Sequence, residues 1–172
     1  VVMEHAIEQQ YDVAFVDDGY EVGTEVCNIK IVGHIEDLPL LFQDYKKLVV
    51  TIGNNKLREK IYNQAEKIGY TFPNIICKSA YISRFAKVGN GCVFLNNVCV
   101  QNGASVGDGV LLSPGVEIHH DGTVDNYSLI YANSAVRTMA HVGMRVKIGS
   151  TCTISNETVI ETDRVIEDGV TE

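Results

Sequence analysis

The sequence predicts an α/β first part of half-Rossmann type (residues 1–75) followed by a parallel β-helix (residues 76–172), and three observations carry that reading. The first is a six-residue period. Every sixth residue from Ile76 is large and apolar: Ile76, Ile82, Val88, Phe94, Val100, Val106, Leu112, Ile118, Val124, Ile130, Val136, Val142, Ile148, Ile154, Ile160 and Ile166. With 45% of the residues hydrophobic, chance would fill all these places roughly three times in a million, so the period is a signal. The second observation is what stands between these residues. Two and three places on come turn formers (Asn90-Gly91, Asn102-Gly103, Asp108-Gly109, Pro114-Gly115), and four places on a mostly small residue (Ala86, Cys92, Ala104, Ser128, Ser134, Ala140, Cys152). Gly and Asn accept positive φ at low cost, as repeated corners require. The third is a pair of apolar runs in the first part, Tyr11–Val16 and Leu48–Ile52, each ending in a polar, Gly-containing turn.

Neither the helical period of 3.6 nor the strand period of 2 describes residues 76–172. Apolar residue, corner and small residue, repeated in sixes, is the pattern of a β-helix whose three hexads make one triangular coil. Each ladder residue then points into the prism and stacks on the residue eighteen places away.

Taken in order, Val1 to about Gln10 reads as a helix, and the chain opens within it. Tyr11–Val16 is apolar on both faces, as a buried parallel strand would be, and stops at Asp17-Asp18-Gly19. Ligands of open α/β sheets gather at such carboxyl ends. Short strands are expected around Val26–Val32 and a helical turn around Leu38–Phe42, with Cys27 and His34 structural. Leu48–Ile52 is a second expected buried strand, followed by Gly53-Asn54-Asn55 and a helix over Lys56–Gly69 with Leu57, Ile61, Ala65 and Ile68 on one face. Asn54 is the expected N-cap, and free N–H groups at that helix start suit a phosphate. This half-sheet is short by an opening strand and has no Gly-rich phosphate loop, so it reads as N-terminally incomplete.

Composition narrows the partners. The net charge is -8 and no basic cluster occurs, which argues against nucleic acid and anionic membrane surfaces. No run has the length of a membrane span and no signal-peptide pattern is visible, so a cytoplasmic protein is expected. The five cysteines form no CxxC pair and read as reduced small side chains.

Chemistry concentrates at one corner. His120-Asp121 occupies a corner dipeptide and therefore faces outward. Histidine titrates near neutrality and is the commonest general base, and the adjacent carboxylate sets its tautomer. His119 and His141 also point away from the prism. His119 and His120 are adjacent and His141 lies 21 residues on, which does not suit a three-histidine zinc site, and no metal is expected.

Phe15-Val16-Asp17-Asp18, Ile52-Gly53-Asn54-Asn55 with the helix through Arg58 and Ile61, and His120-Asp121 within its hexad together resemble the bacterial sugar O-/N-acyltransferases. That family includes sialic acid O-acetyltransferases and UDP-amino-sugar N-acetyltransferases. The resemblance spans nearly the whole chain. It implies a left-handed β-helix, a homotrimer, acetyl-CoA in the groove between neighbouring β-helices, and a sugar or UDP-sugar held by the N-terminal part. Residue by residue, it implies that His120 is the catalytic base, Asp121 its acidic neighbour, and Asp17, Asp18, Gly53 and Asn54 the nucleotide-sugar contacts. On the coenzyme side it points to Leu129, Thr138, Met139 and His141. Two of these depart from the family pattern: Leu129 stands where many members have a second histidine, and Thr138 where many have glycine. The implied reaction is acetyl transfer to a sugar amino or hydroxyl group. The alternative is a non-catalytic nucleotide-sugar-binding or scaffold trimer.

Overall fold

A computed structural model describes the whole chain, Val1–Glu172. Residues from Ile75 onward form sixteen two-residue strands, from Ile75–Ile76 to Val165–Ile166, and each has a ladder residue in its second place. Every strand pairs in parallel with the one eighteen residues away, as in Phe94↔Leu112 and Leu112↔Ile130. The strands stack into three flat sheets of six, five and five strands, the faces of a left-handed prism. The inward ladder is shielded from water: Phe94, Val100, Ile118, Ile130, Val142, Ile148 and Ile154 are fully buried. At the lower end the ladder is open, and Ile76 is 37% exposed.

The place four after each ladder residue also points inward. It accepts more than small residues: Val98, Val110, Val116 and Val146 fill it as completely as Ala104. Where a buried serine or cysteine stands there, it finds a partner fifteen residues on. Ser128 and Ser134 donate to the carbonyls of Gly143 and Gly149 at 2.8 and 2.7 Å, and the Cys92 and Cys152 thiols donate to those of Gly107 and Glu167 at 3.0 Å. A buried hydroxyl or thiol is tolerated because its hydrogen bond is made.

The corners turn on the third residue after each ladder residue, which from Gly91 to Gly169 lies in the left-handed region. Glycine serves at some corners, but Tyr127, Met139, Arg145 and Thr151 adopt the same conformation at others, with φ between 55° and 60°. At Tyr127, Arg145 and Thr151 the cost is offset by hydrogen bonds to the coil below, from their N–H groups to the carbonyls of Asp108, Asn126 and Ala132 at 2.8 to 2.9 Å.

The N-terminal part has helices α1 (Val2–Glu8), α2 (Leu38–Leu41) and α3 (Asn55–Ile68), and strands β1 (Phe15–Val16), β2 (Glu25–Val26) and β3 (Ile29–Gly33). β3 pairs in parallel with β1 and antiparallel with β2, across a tight turn whose residues Cys27 and Asn28 both have positive φ. Asn54 caps α3 by accepting from the Leu57 N–H at 3.1 Å, and Gly69 ends it at φ 111°.

Two expected strands differ from the expectation. Tyr11–Val16 has a ladder only over β1, and Leu48–Ile52 has none beyond a single bridge from Lys47 to Thr71. Between the two runs lies an apolar space of about 620 Å³ bordered by residues 11–18 and 47–52. The two runs face this apolar space, lined by Val13, Phe15, Val49 and Ile75 among others, and no backbone hydrogen bond joins them.

The N-terminal part is fastened to the prism. Ala6 of α1 packs with Val93, Leu111 and Leu129 on the outer side of the six-stranded sheet. From α3, Tyr62 Oη donates to the Gly91 carbonyl at 2.8 Å, and Asn55 Nδ2 to the carbonyls of Arg145 and Val146 at 2.8 and 3.0 Å.

Candidate active site

His120 and Asp121 form the corner after the strand Glu117–Ile118, and the coil geometry decides how they sit. Asp121 is in the left-handed region at φ 61°, which throws its carboxylate back toward the preceding side chain. Its Oδ2 lies 3.0 Å from His120 Nδ1. Both side chains are more than half exposed. Below, the His120 N–H donates to Gln101 Oε1 at 3.1 Å, tying the corner to the preceding coil. Above, Thr138 Oγ1 lies 3.1 Å from His120 Nε2.

A carboxylate can only accept, so His120 Nδ1 carries the hydrogen when the ring is neutral. Nε2 then has the free lone pair, and the Thr138 hydroxyl is its donor. The ring is therefore arranged as a base whose reactive nitrogen faces the coil above. The Thr138 backbone N–H makes no hydrogen bond within the chain.

The other expected residues fall out as follows. His119 turns to Glu117, with Nε2 3.2 Å from Oε2. His141 lies on the strand directly above Thr123, and its Nε2 is 2.9 Å from Asp125 Oδ2. Met139 is the next residue after Thr138, at a corner with φ 59° and 56% exposed. Leu129 is not brought to this edge. It is only 5% exposed and packs with Ala6, Val93 and Leu111, beneath the N-terminal part. An apolar residue on that sheet face is drawn under the covering helix, so its side chain has no surface to offer a coenzyme.

In the N-terminal part, Asp17 and Asp18 both border the cavity together with Ile52, the residue before Gly53. Gly53 and Asn54 do not themselves line it, although Ile52 and Leu57 on either side of them do. Both carboxylates also hold backbone: Asp17 Oδ1 accepts from Gly19 N–H and Asp18 Oδ1 from Ile35 N–H, each at 2.8 Å. No group of three or more His, Cys, Asp or Glu side chains converges as metal ligands.

Sequence reasoning missed Gln101 and Gly103 and the hydroxyl role of Thr138. A built Cβ on Gly103 would stand 2.2 Å from Asp121 Oδ1, so the absence of a side chain there is what lets the carboxylate lie where it does. The signal was present in the period: 103 and 121, and 120 and 138, are pairs eighteen apart.

Residues 1–65 match the family described as the PglD N-terminal domain. The full chain is similar to a histidine-to-asparagine variant of perosamine N-acetyltransferase from Caulobacter crescentus, solved with CoA and GDP-perosamine. The identity is 26%, over 100% of this chain and 82% of that one, with a TM-score of 0.94. It is also similar to the acetyltransferase domain of PglB from Neisseria gonorrhoeae FA1090, solved with acetyl coenzyme A, at 25% identity over 99% of this chain and 88% of that one, TM-score 0.88. WeeI from Acinetobacter baumannii AYE, at 20% identity and TM-score 0.69, shares the fold.

Proposed function

We infer that this chain, which closely matches the hexapeptide-repeat nucleotide-sugar N-acetyltransferases in fold and extent, transfers the acetyl group of acetyl-CoA to an amino group on a nucleotide-linked sugar. The observation that carries the reading is the His120 corner. Its imidazole is exposed, its tautomer is set by Asp121 at 3.0 Å, and its Nε2 lies 3.1 Å from the Thr138 hydroxyl. Similarity to a protein solved with CoA and GDP-perosamine supports both substrates and favours an amine over a hydroxyl as acceptor.

The neutral amine attacks the thioester carbonyl carbon, and the C–N bond forms as the carbonyl π pair moves to oxygen. The Thr138 N–H is the donor proposed for that oxyanion. His120 receives the proton lost by the amine, the C–S bond breaks, and the proton passes on to the departing CoA thiolate. No covalent enzyme intermediate is needed. Base assistance of this kind contributes roughly 10²–10⁴-fold, and holding both substrates in line supplies much of the remainder.

The coenzyme lies along the edge that carries Thr138, Met139 and His141, and the nucleotide end of the sugar meets the turns at Asp17-Asp18 and Gly53-Asn54. In this reading a homotrimer completes the groove, a second prism packing along the faces away from α1, whose outward residues include Cys99, Glu117 and Ala135 on one sheet and Ser105, Thr123 and His141 on the next. No helix is long and apolar enough to cross a membrane, and both substrates belong to the cytoplasm, where the protein is proposed to act.

Thiol release from acetyl-CoA in the presence of GDP- and UDP-amino sugars tests the assignment. Turnover that falls by about 10²–10⁴-fold in His120→Ala supports it. Nucleotide-sugar binding with no turnover in the unaltered protein would replace it with the non-catalytic binding role, for which the hydroxyl covering His120 Nε2 is the motivating feature.

A further inference from the structure

The His120 ring is gripped from its own coil and from the coil above, and the grip implies a route for the proton. Asp121, whose carboxylate stands over the bare Cα of Gly103 one coil below, holds Nδ1. Thr138, one coil above, covers Nε2 at 3.1 Å. Since Nδ1 carries the hydrogen, Nε2 is the ring's remaining basic site, and the Thr138 hydroxyl occupies it. An incoming amine must either displace that hydroxyl or act through it. Displacement strips the hydroxyl of its partner at the moment the site closes. Acting through it costs nothing of the kind, because a hydroxyl that donates to Nε2 keeps two lone pairs to accept a hydrogen bond from the amine.

We propose that the Thr138 hydroxyl relays the proton from the acceptor amine to His120. As the C–N bond forms, the ammonium proton of the tetrahedral adduct moves to Thr138 Oγ1, and the Thr138 hydroxyl proton moves to His120 Nε2. The hydroxyl ends as it began, the imidazole becomes imidazolium, and Asp121 stabilises that charge across Nδ1. The proton returns to the CoA thiolate when the C–S bond breaks. The relay rests on the assignment of His120 as the base. It also accounts for a threonine that would otherwise only crowd the approach of the thioester.

Three substitutions and one spectrum decide it. Thr138→Val keeps the volume and removes the hydroxyl; kcat is expected to fall by about 10²-fold with the KM for acetyl-CoA little changed. Thr138→Ser keeps the hydroxyl and should stay within about threefold of the unaltered protein. Thr138→Gly opens a direct path to Nε2; if it matches or exceeds the unaltered protein, threonine is only an obstruction and the relay is overturned. Nitrogen-15 NMR of the His120 ring reads the contact without turnover. The Nε2 resonance is expected at the hydrogen-bonded, more shielded position in the unaltered protein and Thr138→Ser, and at the bare position in Thr138→Val. An unmoved resonance overturns the relay. Undiminished thiol release in His120→Ala would bring down the base assignment by itself, while the ring spectrum would still judge the Thr138 contact.

Discussion

The Arg58 guanidinium, fully buried, donates from Nε to the Gly109 carbonyl at 3.0 Å and so pins helix α3 to a corner of the prism. Its other nitrogens reach the carbonyls of Ile52 and Tyr127 and the Asn55 side chain. The Ile52 contact matters for function, because that carbonyl precedes the Gly53-Asn54 turn. One side chain therefore sets the height of the nucleotide-side turn against the coil bearing Tyr127, one hexad after Asp121. Burial lowers the guanidinium to about 10, which still leaves it charged at neutral pH, with carbonyl dipoles in place of water.

Removing that cation strands several buried acceptors at once. Arg58→Met is expected to destabilise by about 3–5 kcal/mol, and Arg58→Lys, which cannot fork to all the acceptors, by about 2 kcal/mol. Urea denaturation measures both. An unfolding midpoint in Arg58→Met equal to that of the unaltered protein would mean the contacts carry no net stability.

Gly103 yields a test of how the base is held. Alanine there meets two penalties: the left-handed conformation at φ +73°, and a collision with Asp121 Oδ1. Gly169 has the same φ with nothing within 4 Å, so Gly169→Ala carries the first penalty alone. Both variants should lose about 1–2 kcal/mol of stability, but only Gly103→Ala should also lose kcat, by about tenfold or more, as Asp121 swings away from His120. Equal activity in the two variants would show that the carboxylate does not orient the ring.

The ladder was legible because each of its residues obeys one constraint, that of facing the prism axis, and every sixth residue meets it. The corner His120-Asp121 was legible for the same reason, since the period says which residues face out. What the period alone did not reveal was contact across coils. Thr138 over His120 and Gly103 under Asp121 lie eighteen residues apart, and such pairs emerge only when the coil length is applied to polar residues as well as apolar ones. Tyr127, Met139 and Thr151 were illegible as left-handed corners because that conformation is imposed by the stacked coils and opposes their own preference. In the N-terminal part, Leu48–Ile52 has the composition of a strand, but a strand is made by its neighbour, and here the run's backbone meets another backbone only at Thr71. Leu129 was placed by its distance from His120 along the chain, whereas the covering of its sheet by α1 decides its surroundings.

The inward cysteines should be chemically quiet. Burial pushes the Cys92 thiol up to about 12, and its hydrogen goes to the Gly107 carbonyl. Cys27, at the exposed hairpin turn, has no such shelter. Iodoacetamide at pH 8 is therefore expected to label Cys27 within minutes and to leave Cys92 and Cys152 untouched until denaturant is added, as mass spectrometry of the peptides would show. Cys92→Ser should cost less than about 1 kcal/mol, because Ser128 and Ser134 already make the same bond in other coils. Rapid labelling of Cys92 in the native protein would mean the coil opens locally.

Acid should weaken one fastening between α3 and the prism in a predictable order. Arg145 grips Asp163 one coil above it with two hydrogen bonds, Nε to Oδ1 at 2.8 Å and a second nitrogen to Oδ2 at 3.0 Å, while also reaching Glu59 of α3. The Arg145 hydrogen bonds hold the Asp163 carboxyl below its ordinary value of 3.8. A carboxyl so depressed binds its proton less readily folded than unfolded, so the stability it contributes is present above the ordinary value. That contribution fades as the pH drops below 3.8 and is gone once the pH has passed the lower folded value. Thermal melts of the unaltered protein and Asp163→Asn should therefore differ at pH 6 and draw together progressively as the pH falls below 3.8. Salt should narrow the gap at pH 6, because the carboxylate of the pair is exposed to solvent. A difference that persists undiminished at pH 2 would show that the asparagine acts through the shape of the corner at φ 65° and not through charge.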